Sequence, residues 1–430
     1  MMTSEEIDGL KPFQARSVIE ALRKGSVPAD YVPFFTVGRD NWIKFIEDDL
    51  ENYIAKGGAK VRFIRGDYGD GKTHFMSIVR HLALRQGFAV SFVVLTREVP
   101  IHKFEAVYQA IVRQLRGNFE GIGIRSLLNQ WLDGLGQQQP VPSQEYIADL
   151  GENLRNLPGM NVDFANALIS LAYNRFLPLA EGENKEERTT DREVIFHWFE
   201  AGKVPKRELK PFGIFELVNK ANSKQMLNSL NAFLRFSGHK GLVLLFDELE
   251  TVMAQSASIR NAAYENVRLL IDNTEQAEYF HIFFAIIPDV LLSEKGFKSY
   301  DALWSRVRSI GEQKRLNYRG VLVDLHQTPL KAEELVSLGQ CLRHIHQIAY
   351  RWDAAAEVPD KILLDICQNQ KKMGLMSEVR LFVKQVIRLL DMIEQGEVPA
   401  GDLDLSEHII ASQQEMEQEK LEQLQPSWDK

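Results

Sequence analysis

The run Lys60–Phe75, KVRFIRGDYGDGKTHF, restricts what this chain can fold into more than any other stretch. Val61–Ile64 reads as a short strand, and Gly66-Asp67-Tyr68-Gly69-Asp70-Gly71-Lys72-Thr73 is a complete G-x-x-x-x-G-K-[ST] match. His74–Leu84 then reads as a helix. Glycines at 66, 69 and 71 let the backbone turn tightly and offer its N–H groups to phosphate oxygens. The helix that follows aims its positive end at the same point. In such a loop the lysine, Lys72, reaches the β- and γ-phosphates of ATP, and the Thr73 hydroxyl binds Mg²⁺. Tyr68 and His74 belong to the same nucleotide-binding stretch. Asp67 and Asp70 are discordant negative charges beside a polyphosphate, so both side chains are expected to point outward.

The loop needs a carboxylate partner, and one candidate strand supplies it. Leu242-Val243-Leu244-Leu245-Phe246 is a purely apolar run that ends in Asp247-Glu248. This pattern predicts a central parallel strand with its acids at the C-terminal edge, where open α/β sheets bind ligands. Asp247 is expected to share the Mg²⁺ with Thr73, and Glu248 to orient or polarise water against the γ-phosphate. Neighbouring strand residues face opposite ways, so the strand must end at this point for both acids to serve one site.

Composition sets the outer limits. A chain of 430 residues with 45% hydrophobic and 26% charged residues has the make-up of a soluble globular protein of two or three domains. The two cysteines, Cys341 and Cys367, form no C-x-x-C and no metal spacing. A disulfide framework is excluded and a reducing cytoplasm is expected. No apolar run approaches membrane-spanning length, and the polar start MMTSEEIDG does not read as a signal peptide. The net charge of −8 is uneven. From Asp391 onward eleven acids face two lysines, giving −9, and the remainder is +1. The acidity therefore belongs to the tail and does not argue against a nucleic-acid partner for the body.

The remaining segments read as follows. Residues 1–36 read as a helical leader, in which a helix over Gln14–Arg23 is stopped by Gly25-Ser26-Val27-Pro28. The nucleotide-binding core comprises 37–117 and 211–325, with further strands at Phe88–Leu95, Tyr279–Ile287 and Val321–Leu325 and a long helix over Ile214–Phe236. Residues 118–210 read as a helical insertion, and its charged run Glu181–Asp191 as a solvated loop. Residues 326–396 are a helical lid, and 397–430 a polar, acidic tail.

Several basic residues carry open alternatives. Arg39 lines the adenine or ribose edge, or is a turn arginine. Arg306, in Ser305-Arg306-Val307-Arg308, is an arginine supplied to a neighbouring subunit's γ-phosphate, or sits in a solvated basic turn. Arg380, Lys384 and Arg388 recur every four residues and contact nucleotide phosphate or DNA, or form a plain solvated face. Lys314, Arg315 and Arg319 share that ambiguity. His281, inside an apolar strand with no acid or cysteine at ligand spacing, reads as a core histidine. His344, His346 and His408 carry no metal or catalytic pattern.

With these residues in view, the chain resembles the P-loop ATP-binding proteins of bacteriophage-exclusion (BREX) systems. That family lies within the wider AAA+-like group that also holds origin-recognition ATPases. The resemblance rests on GDYGDGKTHF, on ARSVIEALRKGSVP (Ala15–Pro28), on VGRD (Val37–Asp40), on LLFDELE (Leu244–Glu250) and on SEVRLFVKQVIRLLD (Ser377–Asp391). It implies a P-loop NTPase core with the catalytic-glutamate strand order and an α-helical lid. It implies ATP and Mg²⁺ at Gly66–Thr73 and Asp247, a water-directing Glu248, and Arg380 as the lid arginine that reads the γ-phosphate. The implied activity is Mg-dependent ATP hydrolysis in anti-phage defence, coupled to duplex DNA, other defence proteins or self-assembly. The alternatives are an ATP-binding switch or scaffold with little turnover, and an origin-recognition-like DNA-binding ATPase. One position departs from the family. Related proteins carry a polar residue, often Thr, near the end of the strand that here reads Ala285-Ile286-Ile287-Pro288-Asp289, and that position falls at Ile287.

Overall fold

The computed structural model describes residues 7–138, 143–179, 184–273, 277–311, 316–375 and 378–397, together with 414. Lys314, Arg315, His408 and almost all of the acidic tail lie outside these. Among the described residues, five parallel strands form one sheet: β1 (Ala59–Arg65), β2 (Ala89–Val94), β3 (Leu242–Asp247), β4 (Phe280–Ile286) and β5 (Leu322–Asp324). Their order is β2-β3-β4-β1-β5. β3 is wholly buried and paired on both sides, as its unbroken apolar sequence requires.

The register sends alternate residues of each strand to opposite faces. Val61, Phe63, Leu244, Phe246, Ile282 and Phe284 enter one apolar cluster. Ile64, Val243, Leu245, Phe283, Ala285 and Val323 enter another. On the first face lie α4 (Phe104–Gln114), α5 (Ile124–Gln138), α6 (Gln144–Arg155), α7 (Val162–Phe176), α8 (Lys185–Phe199), α9 (Ser223–Phe236), α10 (Ala257–Asn273) and α11 (Asp301–Gly311). On the second lie α1 (Pro12–Arg23), α2 (Asp40–Asn52), α3 (Lys72–Arg85), α12 (Ala332–Tyr350), α13 (Asp360–Lys372) and α14 (Val379–Glu394).

Two expectations about elements fail for local reasons. The helix placed at Ile214 begins only at Ser223, because Asn219 and Asn222 accept each other's backbone N–H and close a turn. The charged run expected as a solvated loop is largely helix. Asn184 caps α8 through a reciprocal box with Glu187, and Ile195, Phe196, Trp198 and Phe199 bury the far end of that helix.

α1 packs on α12 and α14. Arg23 donates to both Asp391 oxygens, at 2.9 and 2.7 Å, and to the Tyr350 hydroxyl at 3.0 Å. Asp391 also meets Nε2 of the fully buried His346 at 3.1 Å, whose Nδ1 accepts from Trp352. His346 thus has a structural part that its spacing does not reveal. His281 is buried in β4, 4.2 Å from the Phe283 ring, and burial pushes its pKa well below the usual imidazole range. Among the described residues, no helix is long and apolar enough to cross a membrane.

Candidate nucleotide-binding site

β1 ends at Arg65 and α3 begins at Lys72, so the glycine-rich loop leaves the C-terminal edge of the sheet. Gly69 and Gly71 have φ of 94° and 90°, a left-handed conformation that side chains resist. A β-carbon on Gly66 would fall 3.1 Å from Asp70 Cβ. Lys72 is buried, donates to Gly66 O at 3.0 Å and Asp67 O at 3.2 Å, and lies 5.2 Å from the Tyr68 ring centre.

The two loop aspartates do not behave alike. Asp67 points outward as expected. Asp70 does not: it is 4% exposed, and its Oδ2 accepts the Asp67 N–H at 2.7 Å. The expectation considered only repulsion from a polyphosphate. It missed that an aspartate three residues on can satisfy a backbone donor inside the turn. Burial, and secondarily the Asp67 charge, raise the Asp70 pKa. His326, just beyond β5, sets its Nδ1 3.4 Å from Asp67 Oδ2 and 4.0 Å from Asp70 Oδ2.

β4 separates β1 from β3, so the loop and Asp247 spring from strands about 10 Å apart. The first turn of α3 closes this gap, and Thr73 Oγ1 donates to Asp247 Oδ2 at 2.7 Å. Asp247 is 3% exposed, and its Oδ1 accepts the Glu248 N–H at 3.0 Å. The strand ends here because Glu248 turns into the left-handed region, at φ 61°. That turn removes the obstacle of opposite facing. Burial, then the neighbouring Asp247, raise the Glu248 pKa, and Lys72 acts against them.

Glu250 is the residue that reading for motifs missed. It is 8% exposed, neither carboxylate oxygen finds a hydrogen-bond partner in another described residue, and burial pushes its pKa up to about 7. Lys72, Glu248 and Asp247 all act on it electrostatically. The third acid in Asp247-Glu248-Leu249-Glu250 was the available signal.

Arg380 reaches the loop through its backbone, whose N–H donates to Gly69 O at 3.3 Å. Its guanidinium lies against Gly25: a β-carbon there would sit 2.3 Å from Nη2. The expected solvated face of α14 is not one, because Lys384 is buried and Arg380 and Arg388 are half-buried. Nor is Arg39 a surface arginine. It is 8% exposed and donates to the Thr328 carbonyl, and Trp42 Nε1 donates to the Thr328 hydroxyl at 3.2 Å. His74 turns to Thr36 Oγ1, at 2.9 Å, and burial lowers its pKa to about 4. Arg306 is brought to a different place. It pairs with Asp272 of α10 at 2.5 and 3.0 Å. Arg319 pairs with Asp48 over the Phe45 ring. Ile287 packs against the first-face cluster, and Asp289 is exposed.

Fold and site define the class: an α/β protein whose glycine-rich loop and acidic strand end share one edge of a parallel sheet. The chain matches the family of BREX system ATP-binding proteins BrxC/D over residues 10–409, and it belongs to that family. Membership connects it with ATP binding and with the multi-protein BREX defence system. The comparison with curated proteins gave no match.

Proposed function

We propose that the chain is a Mg-dependent ATPase of the AAA+-like, P-loop type that couples nucleotide state to assembly with DNA or partner proteins of the defence system. The observation that carries this reading is the Thr73–Asp247 hydrogen bond, made across an intervening strand. The strand order supports it, since a strand between loop and acid leaves room for a γ-phosphate and water. Two hard oxygen donors, one of them a buried carboxylate, suit Mg²⁺. When bound, the ion would neutralise phosphate charge. Lys72 would exchange its Gly66 and Asp67 carbonyl partners for phosphate oxygens. Glu248, turned to the same edge, would hold water for attack, and Arg380 would report the nucleotide to the helices of the second face.

Lys72→Ala is expected to weaken ATP binding by roughly 100-fold or more, which is about 3 kcal/mol. Glu248→Gln should keep binding and slow single-turnover hydrolysis by about 100-fold. Hydrolysis at the wild-type rate in the Glu248→Gln protein removes the role given to that residue.

One observation favours a second reading, an ATP-binding switch with little turnover. The strand-end position that would place water is Ile287, half-buried against the core, and Asp289 faces solvent beside it. A single-turnover assay with saturating Mg-ATP separates the two. Arg306 could act on a neighbouring subunit only after leaving Asp272, so that role requires ATP-dependent oligomers, which light scattering would detect.

A further inference from the structure

The connection between α8 and α9 is largely irregular, yet its backbone is fixed at close intervals. Asp163, Asn166 and Ser170 lie three and four residues apart, so they share one face of α7 over roughly 10 Å. Ser170 Oγ donates to Phe212 O at 3.3 Å, and Asn166 Nδ2 to Gly213 O at 2.8 Å. The buried Asp163 accepts the Phe215 and Glu216 N–H groups at 3.1 and 2.8 Å, and Trp198 Nε1 donates to Glu216 O at 2.8 Å. Leu209 and Ile214 are buried beneath the connection. Phe215 is nevertheless 61% exposed, and Val162, the neighbour of Asp163 on α7, is 62% exposed. Two large apolar side chains therefore stand in water at one anchored point.

The same stretch is basic. Residues 203–224 carry six cations, Lys203, Lys206, Arg207, Lys210, Lys220 and Lys224, against Glu208 and Glu216, a net charge of +4. Glu216 Oε2 is engaged, accepting from Asn222 at 3.2 Å, and Glu208 lies 3.9 Å from Arg207. The ammonium groups of Lys203, Lys206, Lys210 and Lys220 are exposed and have no hydrogen-bond or ion-pair partner among the described residues. Phe215 stands five residues from Lys210 and five from Lys220, at most about 17 Å of chain from each. Free ammonium groups draw phosphates and release counterions. An exposed ring set among them offers a face to an unstacked base. A duplex would use the lysines and leave the ring idle.

We propose that the connection over residues 203–220 is a docking surface for single-stranded nucleic acid, with its lysines on phosphates and Phe215 stacked on a base. This gives the DNA of the reading above a place on the chain. It rests on that reading only in taking nucleic acid as the partner, and needs neither ATP binding nor hydrolysis.

The test mixes the full chain, without nucleotide, with a fluorescent oligo-thymidylate and follows anisotropy from low to moderate salt. The expected result is salt-dependent binding, weakened about tenfold or more by Lys206→Glu with Lys210→Glu, with a shallower salt slope. Phe215→Ala should weaken it about tenfold and leave the slope unchanged, and a duplex of equal length should bind less tightly. All three positions are exposed, so melting curves should match the wild type. If the double variant melts early, Lys206→Gln with Lys210→Gln replaces it. Absence of binding at low salt overturns the proposal. So does binding that survives either the charge changes or Phe215→Ala, or a duplex that binds as tightly. Displacement by a glutamate-rich peptide as effective as by unlabelled oligonucleotide overturns it in favour of an acidic protein partner. ATP affinity should stay at the wild-type value in these variants, so a failed docking surface and a failed nucleotide site give different results.

Discussion

The two faces of the sheet bury polarity in different ways. On the face that carries the loop helix, ion pairs recur among the buried and half-buried polar groups: Arg62 and Lys60 on Asp49, and Arg23 on Asp391, which His346 also meets. On the other face they are mostly hydroxyls and amides, such as Ser229 on the Gly159 carbonyl and Asn266 on the Ile101 carbonyl. Charged groups there include Asp163, which accepts the backbone N–H groups of Phe215 and Glu216, and Arg65, which pairs with Asp324. Buried ion pairs add little net stability, but they fix which partner lies opposite which. The ion pairs of the loop-helix face tie α1 to α14 and α2 to β1. The first face can be read as scaffold, and the second as the part that holds the site in register.

The sharpest way to break this contrast is a matched pair of tryptophans. Trp42 and Trp198 are both buried, and each donates one hydrogen bond, to Thr328 Oγ1 and to Glu216 O respectively. Either substitution by alanine should cost about 3–5 kcal/mol of stability. Trp42→Ala alone should also weaken ATP binding, because Thr328 holds Arg39. Denaturant melts and calorimetry read the two effects separately. Equal loss of ATP affinity in both variants would erase the division.

A smaller effect, opposite in sign, comes from Glu250. Its pKa in the fold, about 7, lies above the ordinary carboxylate value, so the folded state holds a proton that the unfolded chain releases. Stability therefore falls as pH rises between the two values, and the penalty is complete above about 7. Glu250→Gln should raise stability at pH 8 by an amount on the order of 3 kcal/mol, and the gain should vanish below about pH 4.5. A gain that persists in acid would mean that Glu250 is already ionised and paired in the fold.

These cases show what the sequence could reveal about the fold and the site. The loop, the strand ending at Asp247 and the turn at Glu248 were legible because each depends on neighbours a few residues away: glycines for positive φ, an apolar run for a doubly paired strand, adjacent acids at its end. The inward Asp70 was misread because charge repulsion was weighed without the local hydrogen bond. Burial of Lys384 and Arg39, the isolation of Glu250 and the arrival of His326 beside the loop depend on contacts between segments hundreds of residues apart. No spacing encodes these. The meeting of Arg125 and Arg192 over the Phe196 ring was hidden for the same reason, since the two are distant in sequence.

The smallest predicted effect tests the second face most selectively. Gly25 closes α1 at φ 69°, and its missing side chain leaves room for the Arg380 guanidinium. Gly25→Ala puts a β-carbon into that space and a non-glycine residue into the left-handed region, at a cost of about 1–2 kcal/mol. Much of the clash can be relieved, because the end of an arginine side chain can swing away. Stability should therefore drop only slightly. The displaced guanidinium should show instead as a reduced rise in melting temperature on adding Mg-ATP, with ADP nearly as stabilising as in the wild type. If Arg380 reads the γ-phosphate, Gly25→Ala and Arg380→Ala should lose the same ATP-specific increment, and combining them should lose no more. Independent, additive losses would show that α1 does not act on the nucleotide through Arg380.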